Sequence, residues 1–250
     1  MSDEFKSMHA TTRLRFHVSR PSFFPLGVLL LGAAMFGPAQ AGRPLTTEDA
    51  PVQAQGECQV DSFWGRLTSQ TDGATRTLST QLTCGLGVRT QLALGYSDSR
   101  LEHEGTRSVL VAGKTSLTEP REDSAGISIA YGAPAERTAG SPTRMGDAFV
   151  TLAGTVPLTA KLLMHANLGW TGSHANRSNT TRWALALESA VRDNLSLVAE
   201  TFADDHDRKP WLVAGLSQRL SENISINASY GGQTRGDGRR AATLGFIVGF

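Results

Sequence analysis

The sequence predicts an all-β protein: a twelve-stranded antiparallel transmembrane β-barrel preceded by a cleaved signal peptide. Three observations predict it. Apolar and polar residues alternate from residue 57 to the C-terminus. The connections between alternating runs sort into short turns and longer polar or Gly-rich loops. The aromatic residues gather near the long-loop ends. Composition agrees with this reading. The 250 residues carry 24 Lys+Arg against 23 Asp+Glu, which provides no basic field for nucleic acid. The 2 cysteines are too few for a disulfide-rich scaffold and lack zinc-ligand spacing. The chain has no apolar run of about eighteen residues to form a helical span.

The first element is a targeting segment. Arg13, Arg15 and Arg20 precede an apolar stretch from Phe23 to Gly37, and Ala39-Gln40-Ala41 follows as a small-x-small cleavage site. That order is a secretory signal peptide, residues 1–41, and its apolar part is too short to span. The acidic Ser2-Asp3-Glu4 prefix makes Met8 an alternative start. Residues 42–56 are expected as a periplasmic N-terminal segment and residues 57–250 as the barrel.

Strands are expected near 57–67, 76–85, 88–98, 108–118, 123–133, 146–156, 160–172, 181–190, 194–203, 210–219, 223–232 and 239–250. The second alternates Leu78, Thr80, Leu82, Cys84 and Leu86 with Thr77, Ser79, Gln81, Thr83 and Gly85. The seventh alternates Leu162, Met164, Ala166, Leu168 and Trp170 with Lys161, Leu163, His165, Asn167 and Gly169. Short turns are expected at Leu86-Gly87, Glu119 to Glu122, Pro157 to Thr159, Arg192-Asp193 and Leu220 to Glu222. Longer loops include Ser69 to Thr75, Ser99 to Arg107, Pro134 to Met145, Gly172 to Thr180, Ala203 to Lys209 and Gln233 to Gly238. Short periplasmic turns, longer outer loops and an even strand number characterise outer-membrane barrels.

Trp64, Tyr96, Tyr131, Trp170, Trp183, Trp211 and Tyr230 all fall near long-loop ends. They form an expected aromatic girdle at one membrane interface, where amphipathic rings sit at headgroup level. The phase of Trp211 is ambiguous, because Trp211 and Val213 compete with Leu212, Ala214 and Leu216 for the lipid side. The last strand places Leu244, Phe246, Val248 and Phe250 at alternate positions. Phe246, Val248 and Phe250 resemble the C-terminal signal that the barrel-assembly machinery reads on bacterial outer-membrane proteins.

The run Ala41-Gly42-Arg43-Pro44-Leu45-Thr46-Thr47-Glu48-Asp49-Ala50, then Gly56-Glu57-Cys58-Gln59, is similar to the outer-membrane proteins of the meta-pathway phenol-degradation (MetA-like) family. His165-Ala166-Asn167-Leu168-Gly169-Trp170 resembles the same group. The sequence departs from that pattern at Gly42 and at Val60-Asp61. The resemblance implies an outer-membrane barrel for passage of small or apolar compounds.

Cys58 and Cys84 lie symmetrically about the first long loop, so an antiparallel hairpin brings them opposite one another. In an oxidising compartment a structural disulfide is the expected outcome; two unpaired thiols are the alternative. The lumen face is expected to hold Asp61, Arg89, Lys114, Asp147, Lys161, His165, Arg182, Glu188 and Glu200. Glu188 and Glu200 are symmetric about Asn194 and are expected to sit close together. Two adjacent carboxylates repel unless cations lie nearby. The expected arrangement is therefore a charged lumen belt of Lys114, His165, Arg182, Glu188 and Glu200, with Lys114 and Arg182 offsetting the glutamates. It reads either as a pore constriction or as a salt-bridged filling of a narrow barrel.

Asp204-Asp205-His206-Asp207 in an outer loop is the one pattern that suggests a hydrolase, and a solvated loop is the simpler reading. There is no Gly-x-Ser-x-Gly nucleophile elbow. No catalytic residue, cofactor or metal is expected. The expected role is a passive channel or facilitator for small solutes in the outer membrane of a Gram-negative bacterium, in contact with its lipid. The alternative is a structural or surface-interaction barrel with a filled lumen; an outer-loop hydrolase is a distant third.

Overall fold

The alternating segments pair edge to edge until the first meets the last. The structure, a computed structural model, describes residues 46–101, 104–121, 124–172, 178–206, 208–236 and 238–250. The expected signal peptide and residues 42–45 lie outside the described residues. In chain order the strands are β1 (Cys58–Ser69), β2 (Gly73–Gly87), β3 (Thr90–Leu101), β4 (Glu104–Thr118) and β5 (Gly126–Thr138). The two-residue β6 (Arg144–Met145) and β7 (Ala148–Thr159), β8 (Leu162–Gly172) and β9 (Asn179–Arg192) follow. The last four are β10 (Leu195–Asp204), β11 (Trp211–Arg219), β12 (Ile224–Gln233) and β13 (Arg240–Gly249).

Twelve strands form a closed antiparallel ring, with β5 bonded directly to β7 and β6 continuing the β5 ladder beyond it. The seam is β1 with β13, from Gln59↔Gly249 to Thr68↔Arg240. It is finished by the Cys58 N–H to the Phe250 carbonyl (2.9 Å) and the Phe250 N–H to the Cys58 carbonyl (2.8 Å). Closure leaves no sheet edge, which is the condition for crossing lipid with strands.

The burial pattern is the inverse of a water-soluble protein. Leu78 is 61% exposed and Val111 62%, whereas Ser128 is 0% and Thr83 1% exposed. Large apolar side chains therefore cover the outside, and the inside is packed with small and polar ones such as Ala130, Ala186, Thr155 and Asn227. Only a surrounding apolar solvent makes that arrangement favourable. The fold is that of an outer-membrane β-barrel.

The connections depart from expectation in detail. The first hairpin at the short-turn end reverses at Val88–Arg89, not Leu86-Gly87, with both residues at positive φ (46° and 57°). A two-residue turn of this kind matches the twist of the flanking strands, but Val and Arg are not residues that signal it. Arg89 and Lys161 consequently occupy turns, and Asp147 is exposed beside β7; none of the three lies on the lumen wall. The expected long loops Ser69 to Thr75 and Ser99 to Arg107 are mostly strand, because β1–β2 and β3–β4 keep pairing to Ser69↔Gly73 and Leu101↔Glu104.

Candidate functional site in the lower lumen

Residues 46–55, expected in the periplasm, run inside the barrel instead. We call this segment the strap. Its root is fixed beside the first hairpin. Gly56 N–H donates to the Gly85 carbonyl (3.1 Å), Gly85 N–H donates to the Glu57 carbonyl (2.9 Å), and Gln55 bridges Gly85 in parallel. Gly85 faces the lumen, and a Cβ there would lie 2.0 Å from the Ala54 carbonyl oxygen. Only glycine lets the backbone pass so closely. One residue away, on the outer face, Cys58 opposes Cys84 in register and the two are joined by a disulfide.

From this root the strap crosses to the opposite wall and meets a polar partner at nearly every step. Gln53 N–H donates to Gln91 Oε1 of β3 (2.7 Å). Ala50 N–H donates to Thr155 Oγ1 of β7 (2.9 Å). Lys114 of β4 reaches Asp49 Oδ1 at 2.7 Å and Glu48 Oε2 at 3.6 Å, and also donates to the Asp49 carbonyl at 3.3 Å. Asn167 of β8 accepts from Glu48 N–H (2.6 Å) and donates to the Glu48 carbonyl (2.8 Å), imitating a strand ladder with its side-chain amide. At the far wall, Glu200 of β10 accepts the N–H groups of Thr46 and Thr47 (3.0 Å each) and the Thr47 hydroxyl (2.7 Å). The wall side chains thus supply partners for backbone groups of the strap that pair with no neighbouring strand.

His165 of β8 is 0% exposed. Its Nδ1 lies 2.9 Å from Thr155 Oγ1, and its Nε2 faces Glu188 Oε2 of β9 at 3.5 Å. One chain of polar contacts thus joins Glu188, His165, Thr155 and the strap at Ala50.

Lys114, His165, Glu188 and Glu200 all face the lumen and are buried. Their pairing is not the one the sequence suggested. Glu188 lies opposite Val198 and Glu200 opposite Ala186, because the β9–β10 turn centres between Asp193 and Asn194 and the register shifts again at Leu195/Ser196. Lys114 answers the strap's carboxylates, not the wall's glutamates. Arg182 is exposed towards the outer end of β9, opposite Asp204, and takes no part in the belt. Hydrogen bonds from strap N–H groups do for Glu200 what a cation was expected to do. The strap itself was missed because a ten-residue polar stretch without periodicity carries no sign of what it docks on. Among the described residues, the lower lumen holds one lysine, Lys114, and the carboxylates Glu48, Asp49, Asp61, Glu188 and Glu200.

On the outside, Trp64, Tyr96, Tyr131, Trp170, Trp183 and Tyr230 are exposed on the apolar face of their strands. Trp211 is different. Leu212 and Leu216 take the lipid side of β11, which turns Trp211 inward to stack on Phe202 with centroids 5.8 Å apart. Phe246 and Phe250 are exposed on the outer face.

The acidic loop is a structural staple. Asp205 accepts the Thr181 N–H (3.0 Å), Asp204 accepts the His206 N–H (3.0 Å), and His206 Nε2 lies 3.0 Å from the Asn179 carbonyl. Asp207 lies outside the described residues. Among the described residues no group of three or more His, Cys, Asp or Glu side chains could hold a metal ion.

A closed barrel with an apolar exterior and a polar lumen that holds the strap defines an outer-membrane β-barrel protein. The chain belongs to the family described as Uncharacterised conserved protein UCP029691, whose model matches residues 29–250. No curated protein matches it. Among solved structures, the COG4313 outer membrane channel from Pseudomonas putida F1 is similar with a TM-score of 0.62 at 9% identity, covering 82% of this chain and 100% of that one. The KdgM porin in complex with disordered oligogalacturonate is similar with a TM-score of 0.58 at 11% identity, covering 77% and 99%. The NanC porin is similar with a TM-score of 0.54 at 11% identity, covering 76% and 98%. These likenesses are of fold.

Proposed function

We propose that the protein is a passive outer-membrane channel for small solutes, with a lumen narrowed by residues 46–55. The observation that carries this reading is the lower lumen: a ring of polar wall residues around a polar strap, in which Lys114 is the one lysine among the described residues, beside Glu48, Asp49, Asp61, Glu188 and Glu200. Acidic constrictions favour cations over anions. The likeness to channel and porin folds supports the class. The resemblance of residues 41–50 and 165–170 to the meta-pathway phenol-degradation group favours small or apolar compounds. The reading is non-enzymatic, and Phe246, Val248 and Phe250 serve recognition by the assembly machinery during insertion.

The burial of Lys114, His165 and Glu200 favours a second reading, in which the strap simply fills the barrel. Planar-bilayer recordings in a salt gradient separate the two. The channel reading expects small steps with a cation-preferring reversal potential, and a Lys114→Glu variant with stronger cation preference. Silent membranes under both forms would establish the filled barrel.

A further inference from the structure

The outward face above the aromatic level differs between the two halves of the ring. On β13 and β1–β5 it carries Arg240, Arg66, Arg76, Arg100, Arg107 and Arg137, all exposed. Each shares its strand's outward parity: Arg66 lies two residues beyond Trp64, Arg100 four beyond Tyr96 and Arg137 six beyond Tyr131. Among the described residues, the strands of the other half carry no charged side chain on this face. Beyond Trp183 it holds Thr181 and Asn179, and beyond Tyr230 it holds Gly232 and Thr234.

The arginines face one another across the ladder. Arg66 opposes Arg76, Arg76 opposes Arg100, and Arg107 opposes Arg137. Like charges directly opposite on one face of a sheet repel. One carboxylate intervenes: Asp98 accepts from Arg100 at 3.0 Å and lies 3.5 Å from Arg107. Arg66, Arg76, Arg137 and Arg240 have no anionic partner among the described residues. A row of cations immediately above an apolar face attracts anions from outside the chain. Six adjacent strands span roughly 24 Å at the usual strand spacing, wider than any single small ion. Guanidinium groups bind phosphate oxygens in bidentate fashion.

We propose that this arginine band binds the phosphate groups of the phosphorylated glycolipid of the outer leaflet, lipopolysaccharide. The lipid's acyl chains lie against the Leu and Val face below, and the aromatic residues mark the boundary. The depth of the band selects a lipid headgroup over a dissolved anion, since the same glycolipid satisfies the cations above and the apolar face beneath. The inference rests on the barrel standing in the outer membrane and is independent of whether the lumen conducts.

The test uses protein extracted in folded form from outer membranes and placed in phosphatidylcholine nanodiscs. These contain either bis-phosphorylated lipid A or the same glycolipid with its phosphates removed. Native mass spectrometry counts the glycolipids retained. The wild type should retain the phosphorylated form by a wide margin. An Arg66→Gln/Arg76→Gln double variant should lose retention roughly tenfold, as expected for loss of charge-assisted phosphate contacts. Arg192→Gln, at the opposite end of the barrel, should match wild type. Equal retention of both glycolipids by the wild type overturns the proposal, and so does an equal loss in Arg192→Gln. Displacement of the glycolipid by millimolar inorganic phosphate would mark a free-anion site and overturn the lipid assignment. Heat-modifiable gel mobility verifies folding, and the wild-type comparison decides the matter even if the double variant does not fold.

Discussion

The two faces of the barrel wall follow opposite rules. The outer face is a continuous apolar surface in which no residue depends on one particular neighbour: Leu78, Leu94, Val111, Leu168 and Leu244 all meet the same solvent. The lower lumen is a set of specific pairs, in which Lys114 needs Asp49, Asn167 needs the Glu48 backbone and Glu200 needs Thr46 and Thr47. The difference teaches where substitutions matter. Outside, any residue of the right polarity serves. Inside, a change is costly only if it strands a buried polar group.

The largest effect should therefore come from Lys114→Met. Removing one partner of a buried ion pair costs about 3–5 kcal/mol when the other charge stays buried. Asp49 can escape that cost, because the strap is not part of the ring and can leave the lumen. The expected outcome is a barrel that retains heat-modifiable mobility but has strap residues newly accessible to protease. A barrel that loses its heat-modifiable form would mean that the strap supports the ring itself.

Next comes Leu244→Arg on the outer face. A cation on the lipid side near mid-membrane costs about 2–4 kcal/mol. Urea titration of the barrel folded into phospholipid vesicles should show a lowered midpoint with unchanged strap protection. A null result would remove the claim that this face meets hydrocarbon.

Glu200→Gln is a nearer test of the inside. The amide keeps the shape but presents one acceptor oxygen instead of two to the Thr46 and Thr47 donors. Charge-assisted hydrogen bonds contribute about 1.5–3 kcal/mol, so partial release of the strap is expected as faster amide exchange at Thr46 and Thr47. Unchanged exchange would place the anchor elsewhere.

The smallest effect compares two glycines. At Gly85 an added Cβ meets the strap's backbone at 2.0 Å, whereas at Gly113 it meets the Tyr131 ring at 2.8 Å. The ring lies on the lipid side and can swing away; the backbone cannot. Gly113→Ala should cost less than about 1 kcal/mol, the scale of ordinary surface changes. Gly85→Ala should expose the strap root to protease.

The outer face was legible in the sequence because period-two alternation is a local signal, readable from Leu78 to Leu86 without knowledge of any other strand. The pairing of Cys58 with Cys84 follows from the same hairpin logic, since both lie at equal distance from one turn. The lumen was legible only in part. Burial of Lys114, His165, Glu188 and Glu200 follows from parity, but their partners do not. The turn centre and a register shift at Leu195/Ser196 together offset the two glutamates by two residues along the ladder, and neither shows in the alternation. Arg182 has the lumen-facing parity of its strand and is nevertheless too near the outer end to reach the belt. Trp211 defeated pattern reading because β11 has apolar residues on both faces, and only its pairing with Phe202 fixes the phase. The strap is the plainest case. It has no period of its own, and its contacts come from eight different strands or their neighbours.

Residues 46–55 occupy the lumen of a sealed ring, and in the channel reading they limit passage through it. Single-channel recording of the wild type beside a Lys114→Met/Glu200→Gln double variant tests this most directly, since the strap loses its ion pair and has its Glu200 anchor weakened while the ring is left alone. Small steps are expected for the wild type and steps several-fold larger for the variant if the strap limits passage. Steps of the same size in both proteins would contradict it.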